Sequence, residues 1–279
     1  MYRWFDRFAR GRPTAATLNL LILPVLLITM LVFGELSVQI YRQTISDHVR
    51  NELQALTNSS ADYLDNFLSE AMRQSYFIYS NRAFRDTLEK THELGEEISI
   101  QDTMEFYYDT IDPLFTALNN PEWFVNRVYL LEESLHADRS SICYMDQFPE
   151  GIPIEEAMQA KDTYIWSIAR EKKGPASAAR NLLCYTRLIT AENGAPIAFL
   201  NTEIYLDVLE PVVAKAVQAG MGGAYLWKLH GGDVIFQSDD FSDSYWTARS
   251  IVENNNSSLE TGYSNDLIDR QAYEQHLLL

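Results

Sequence analysis

Few residues in this 279-residue chain stand in arrangements that chemistry could use directly. Cys143 and Cys184 lie too far apart for a CxxC metal or redox motif; their spacing fits either a disulfide between adjacent strands or a pair of buried thiols. His48, His92, His136, His230 and His276 are scattered, with no HExxH pattern and no Cys/His cluster, so neither a metal site nor a cofactor is expected. A tethered exported enzyme would want a carboxylate pair such as Glu132 and Glu133. Adjacent residues on a strand point to opposite faces, however, and no Ser/His/Asp or Cys/His arrangement accompanies them. The acidic stretch Ser238–Asp243 (SDDFSD) lacks the EF-hand spacing and its terminal glutamate, and reads as a hairpin end. The Asn-Ser-Ser sequons at Asn58 and Asn256 are assigned no role. No catalytic residue is therefore expected, and the chemistry to look for is binding.

What must position a binding site begins with a charge-free run. Between Arg12 and Glu35 there is no charged side chain, and Arg3, Arg7, Arg10 and Arg12 crowd just ahead of it. About 20 helical residues cross a bilayer core, and Pro13–Gly34 supplies them. A signal peptide has a similar start, but VFGELSVQIYRQ offers no small-x-small cleavage site and continues in helical register. The reading is an uncleaved anchor: a cytoplasmic basic tail at 1–12, a membrane helix at 13–36, and everything beyond outside the cytoplasm, as arginines on the inner side dictate. Pro24 is tolerated in such a helix. The net charge is −17 overall, and about −20 once the basic tail is set aside, which excludes nucleic acid and anionic lipid as natural partners of the exported part.

Past the membrane, apolar residues recur at Val38, Tyr41, Ile45, Val49, Leu53 and Leu56, then at Tyr63, Leu64, Phe67, Leu68 and Met72, spacings of three and four that predict one long helix. The narrow stripe near the membrane fits a coiled-coil seam with a second copy, and packing on the chain's own domain explains the same spacing equally well; a homodimer is expected. Gly95 is a helix stop, and a second helix is predicted in IQDTMEFYYDTIDPLFTALNN. The period then changes. WFVNRVYLLEE, SSICYMDQF, DTYIWSIAR, NLLCYTRLIT and PIAFLNTEIYLDVL are short runs rich in β-branched and aromatic residues, with Asn-Gly in AENGAP closing an antiparallel hairpin. A helix follows, and after Gly220–Gly223 a new hairpin pairs AYLWKL with DVIFQSDD. From Phe241 to Leu279 the composition reads as loop with a short helix. A two-stranded sheet buries its own face poorly, so the expectation is an incomplete second module.

This order of features resembles the sensory half of bacterial receptor histidine kinases with a double-Cache ectodomain, particularly the carbohydrate-responsive two-component type: a basic N-terminus, the LILPVLL anchor, a long exported helix, YSNRAFRDTL, strands through LLCYTRLIT and GAPIAFLNTEIYLDVL, then AYLWKLHGGDVIFQSDD. The resemblance is one of pattern and covers nearly the whole chain. It implies an α+β fold in which the membrane helix continues into a long helix packed on a PAS-like antiparallel sheet. Residues 37–215 would form the membrane-distal module and 216–279 an incomplete membrane-proximal one. In that family a second membrane helix, a HAMP linker and a kinase core follow. No His-box, Asn-box or ATP lid is present in these residues, and His48 is no phospho-acceptor. The same ectodomain also sits on chemoreceptors, diguanylate cyclases and membrane-anchored helix-turn-helix regulators. Gly231-Gly232-Asp233 imitates a cyclase signature only because a hairpin turn needs those residues.

The resemblance further implies a pocket against the distal sheet, with Tyr129, Tyr164, Trp166, Tyr185, Arg187 and Asn201 as ligand-binding candidates. An aromatic wall with a few fixed donors suits a sugar or an amino-acid-like ligand, taken up free or through a solute-binding protein, and an arginine clamps a carboxylate bidentately. The alternative for Arg187 is a surface ion pair with Glu203 on the next strand.

Overall fold

The computed structural model describes residues 14–95, 99–132, 141–160, 163–172, 179–221, 224–229, 231–238, 241 and 246–263. The basic tail, Glu133, His136, His230, His276 and most of Ser238–Asp243 lie outside them. The chain divides into two compact units, whose described parts are 14–52 and 53–263.

Helix α1 runs Thr14–Ser80, with Pro24 inside it. The first unit is its leading stretch, where Leu23, Val25, Leu26, Ile28, Met30, Leu31 and Phe33 all stand exposed. It is the one helix among the described residues long and apolar enough to cross a membrane. Beyond it the helical spacing resolves into burial: Leu53, Leu64, Leu68, Ala71 and Ile78 are buried while Tyr63, Tyr76 and Phe77 are exposed.

Asn81 ends α1 and caps α2 (Arg82–Leu94), its side chain accepting from the Phe84 N–H; Gly95, at φ 55°, closes that helix where the sequence predicts a stop. The predicted second helix is built from α3 (Ile100–Phe106), a π-helical turn (Tyr107–Ile111) and α4 (Asp112–Leu118). Pro113 sits in the first turn of α4, directly after the π-helical turn that interrupts the α-helical hydrogen-bond ladder.

All five sequence runs become strands of one sheet: β1 (Phe124–Leu130), β2 (Ile142–Tyr144), β3 (Ile165–Arg170), β4 (Asn181–Thr190) and β5 (Pro196–Tyr205), in the order β2-β1-β5-β4-β3. The pairs are antiparallel except β1 with β2. The β4–β5 hairpin turns at the predicted Asn-Gly, where the Gly194 N–H donates to the Ala191 carbonyl and Gly194 takes φ 82°. Between β2 and β3 lie a 3-10 turn (Met145–Gln147) and α5 (Ile154–Gln159). Gly151 also takes positive φ, and a Cβ there would meet the Ile168 carbonyl oxygen at 2.9 Å, so both the backbone angle and the close approach require glycine.

Helix α6 (Leu206–Met221) leads to a second sheet of β6 (Ala224–Leu229), β7 (Val234–Gln237), β8 (Trp246–Val252) and β9 (Ser257–Tyr263), ordered β7-β6-β9-β8. The loop expectation after Phe241 fails: β8 and β9 complete a four-stranded antiparallel sheet. Its apolar side chains Trp227, Val252 and Leu259 share one core with Leu64, Leu68 and Ala71 of α1 and with Phe124, Leu183 and Ile204 of the first sheet.

Candidate ligand-binding site

Period-two alternation divides the first sheet into two chemically different faces. On one, the register sets Tyr129 opposite Phe199, Arg127 opposite Asn201, Asn201 opposite Thr186 and Glu203 opposite Cys184. On the other, Trp166 pairs with Tyr185, and Arg187, two residues on, follows. The six sequence candidates therefore do not form one pocket. Tyr129 and Asn201 share the first face, whereas Trp166, Tyr185 and Arg187 share the second with Tyr164, whose ring lies 4.6 Å from that of Tyr185.

The first face is covered by Phe148, Ile152 and Ala157, from the segment between β2 and β3. At its centre the Glu203 carboxylate has no solvent exposure, and three donors reach it: Arg127 Nη1, the Tyr129 hydroxyl and, at 3.2 Å, Asn201 Nδ2. Thr186 Oγ1 donates to Asn201 Oδ1 at 2.7 Å, which fixes the amide's orientation. The Arg127 side chain keeps 20% exposure, so the cation is the end of this network that meets solvent. Ser167 Oγ, opposite Cys184, is buried without a partner.

Burial raises the Glu203 pKa above its ordinary value, with Arg127, Tyr129 and Asn201 pulling it back. Burial works against the Arg127 charge, but Glu203, Tyr129 and Tyr205 together outweigh it and the guanidinium stays protonated. Burial pushes the Tyr129 hydroxyl up, so it serves as a donor. The arrangement holds a cation in fixed orientation against a buried anion, and the end it offers to solvent is the guanidinium, which suits a ligand carboxylate.

Sequence reasoning missed Arg127 and treated Glu203 only as a partner for Arg187. That pairing does not form: Arg187 and Glu203 stand on opposite faces, and Glu203 belongs to Arg127. The available signal was parity, since Arg127 alternates in step with Tyr129, and Glu203 with Asn201. The strand reading of Glu132 also needs correcting, because β1 ends at Leu130 and Glu132 stands 3.2 Å from His92 Nδ1.

On the second face, Trp166 lies 5.0 Å from Tyr185, and its indole N–H donates to the Asn254 carbonyl at 3.2 Å, between β8 and β9. Asn254 in turn donates from its backbone N–H to Asp65 Oδ1 at 2.7 Å and from its side chain to the Asp65 carbonyl. Arg187 stacks on α1, its guanidinium carbon 4.6 Å from the Tyr79 ring centroid.

No family model matches this sequence, and no curated protein matches it. Among solved structures, the periplasmic sensory domain of the Campylobacter jejuni chemoreceptor Tlp1 is 9% identical with a TM-score of 0.52, covering 81% of this chain and 98% of that one. The ligand-binding domain of the Pseudomonas aeruginosa amino acid chemoreceptor PctB, in complex with L-Arg, is 12% identical at a TM-score of 0.44, over 79% of this chain and 95% of that one. The extracellular domain of the putative histidine kinase soHK1S-Z6 is 9% identical, also at 0.44, over 82% and 98%. The fold is thus the α+β fold of sensory Cache-like domains, led by a long apolar helix.

Proposed function

We propose that this chain is a membrane-anchored, extracytoplasmic ligand-sensing region, and that its ligand is recognised on the sheet face carrying Arg127, Tyr129, Asn201 and Glu203. The observation that carries this reading is the Arg127–Glu203 pair, set in the middle of a covered sheet face of a sensory-domain fold. A purely structural pair would be costly there, since two charges taken out of water repay their desolvation only with excellent geometry. A pair at the sheet centre with its cation open to solvent suits a small carboxylate-bearing, amino-acid-like molecule better than a neutral sugar. Its carboxylate would meet Arg127, the end of the pair that reaches solvent, while the buried Glu203 holds that guanidinium in place.

In this reading, residues 13–36 cross the membrane with the N-terminus in the cytoplasm. The five-stranded sheet with α1 forms the membrane-distal module, and the four-stranded sheet the membrane-proximal one. The parent is a two-component sensor histidine kinase; a chemoreceptor is the second reading, favoured by the likeness to the Tlp1 sensory domain. Ligand binding would favour one of two arrangements of a homodimer and change output by population shift, which requires unequal affinity for the two.

The test is thermal unfolding of the chain in nanodiscs against a panel of amino acids, small carboxylic acids and sugars. A ligand at a hundredfold excess over its Kd adds about 2.7 kcal/mol of stability, which raises Tm measurably. One carboxylate-bearing member is expected to do so, and Arg127→Lys to abolish the shift. A panel with no shift, or a shift that survives in Arg127→Lys and Asn201→Ala alike, would refute the site.

A further inference from the structure

The second face of the distal sheet carries a cation that the proposed ligand site does not use. Arg187 stands among four tyrosines: its guanidinium carbon lies 4.6 Å from the Tyr79 ring centroid, 5.8 Å from Tyr76 and 6.0 Å from Tyr164, and Nη2 donates to the Tyr185 hydroxyl at 3.2 Å. No carboxylate pairs with it among the described residues. Its Nε is buried and has no acceptor.

Tyrosine faces compensate the positive charge in part. They do nothing for a buried N–H in the plane of the guanidinium, and a buried donor without an acceptor costs about as much as a lost hydrogen bond. The missing partner is an in-plane oxygen, which a carboxylate supplies. Tyr76 and Tyr164, at 58% and 40% exposure, flank the cation with rings that a flat apolar body could stack on.

We infer that Arg187, with Tyr76, Tyr79, Tyr164 and Tyr185, forms a second binding site, for a small carboxylate with a flat apolar body, on the sheet face that packs against α1. It joins two secondary-structure elements. Tyr76 and Tyr79 come from α1, while Tyr185 and Arg187 come from β4. A bound carboxylate would therefore tie helix to sheet. The site lies across the sheet from the one proposed above and does not depend on it.

The experiment is a calorimetric titration of the full chain in nanodiscs with benzoate, and with benzyl alcohol as the uncharged analogue. Benzoate is expected to give saturable binding and benzyl alcohol none. Arg187→Lys keeps the charge but loses Nε–H and the planar fork, and should weaken benzoate at least about tenfold. Absence of saturable benzoate binding, equal binding of benzyl alcohol, or full binding by Arg187→Lys would each overturn the inference. Should circular dichroism show that Arg187→Lys misfolds, the exposed Tyr164→Ala takes its place, and undiminished binding there overturns it equally. Benzoate binding that survives Arg187→Lys but is lost in Arg127→Lys would place the anion on the opposite face, refuting this site and supporting the other.

Discussion

Arg127 reaches Glu203 on a diagonal. Its direct partner across the β1–β5 ladder is Asn201, and Glu203 lies opposite Val125, two positions along. Diagonal neighbours on one face are within reach of a long side chain, and the directly opposed asparagine is left to hold the same carboxylate from the other side.

Breaking this pair from one end should be costly. Arg127→Ala leaves a fully buried carboxylate without its cation, and about 3 kcal/mol of stability should be lost; replacing both partners by Met and Leu should cost far less. Urea unfolding of the two variants checks the difference, and equal losses would show that the charge itself is not what matters.

The raised Glu203 pKa gives this pair a pH signature. A folded-state pKa above the unfolded value of 4.5 means that the native state holds the proton more tightly. Its contribution is then full below 4.5 and is lost as pH rises through the folded value. The stability margin of the native chain over Glu203→Gln should therefore be largest in acid and shrink towards neutral pH. A margin that grows with pH would reverse the sign and the assignment.

Cys143 and Cys184 should be reduced thiols, shielded from reagents and not joined in a disulfide. They lie on β2 and β4, with β1 and β5 between them, so three strand spacings, about 14 Å, separate them, against less than about 7 Å between Cα atoms in a disulfide. Burial pushes the Cys143 thiol up to about 11 and the Cys184 thiol well up too. Iodoacetamide at neutral pH should label neither in the folded chain and both after unfolding without reductant, as read by mass spectrometry. Unlabelled cysteines after unfolding would mean a bridge.

Asp65 anchors the turn between β8 and β9 through two bonds to Asn254, of which only one needs its carboxylate. Asp65→Ala removes that acceptor and should cost about 1–2 kcal/mol. Asp65→Asn keeps an acceptor and should recover most of it. Trp166→Phe, which loses the N–H donated to the Asn254 carbonyl, should destabilise by a similar amount while keeping the Tyr185 contact. Unchanged urea midpoints for Asp65→Ala and Trp166→Phe would show the turn to be held by other contacts.

Much of this architecture is legible locally. The charge-free run, the helix stop at Gly95, the Asn-Gly hairpin and the five strands of the first sheet depend on spacing, turn chemistry and backbone propensity within a few residues of each other, and the structure has each where the sequence implies it. The strand β9 escapes the same reading because, beside Leu259, its buried side chains are those of Ser257, Ser258 and Thr261, whose polarity hides the pattern; Thr57 of α1 bonds to the Thr261 hydroxyl from a distance no local pattern records. The sites escape it for a related reason. Tyr129 and Tyr185 look alike in sequence, and which face each occupies is set by strand register and by the side on which α1 packs. Both come from contacts between residues far apart in the chain, so only the tertiary structure could part the Arg127–Glu203 centre from the Arg187 cluster.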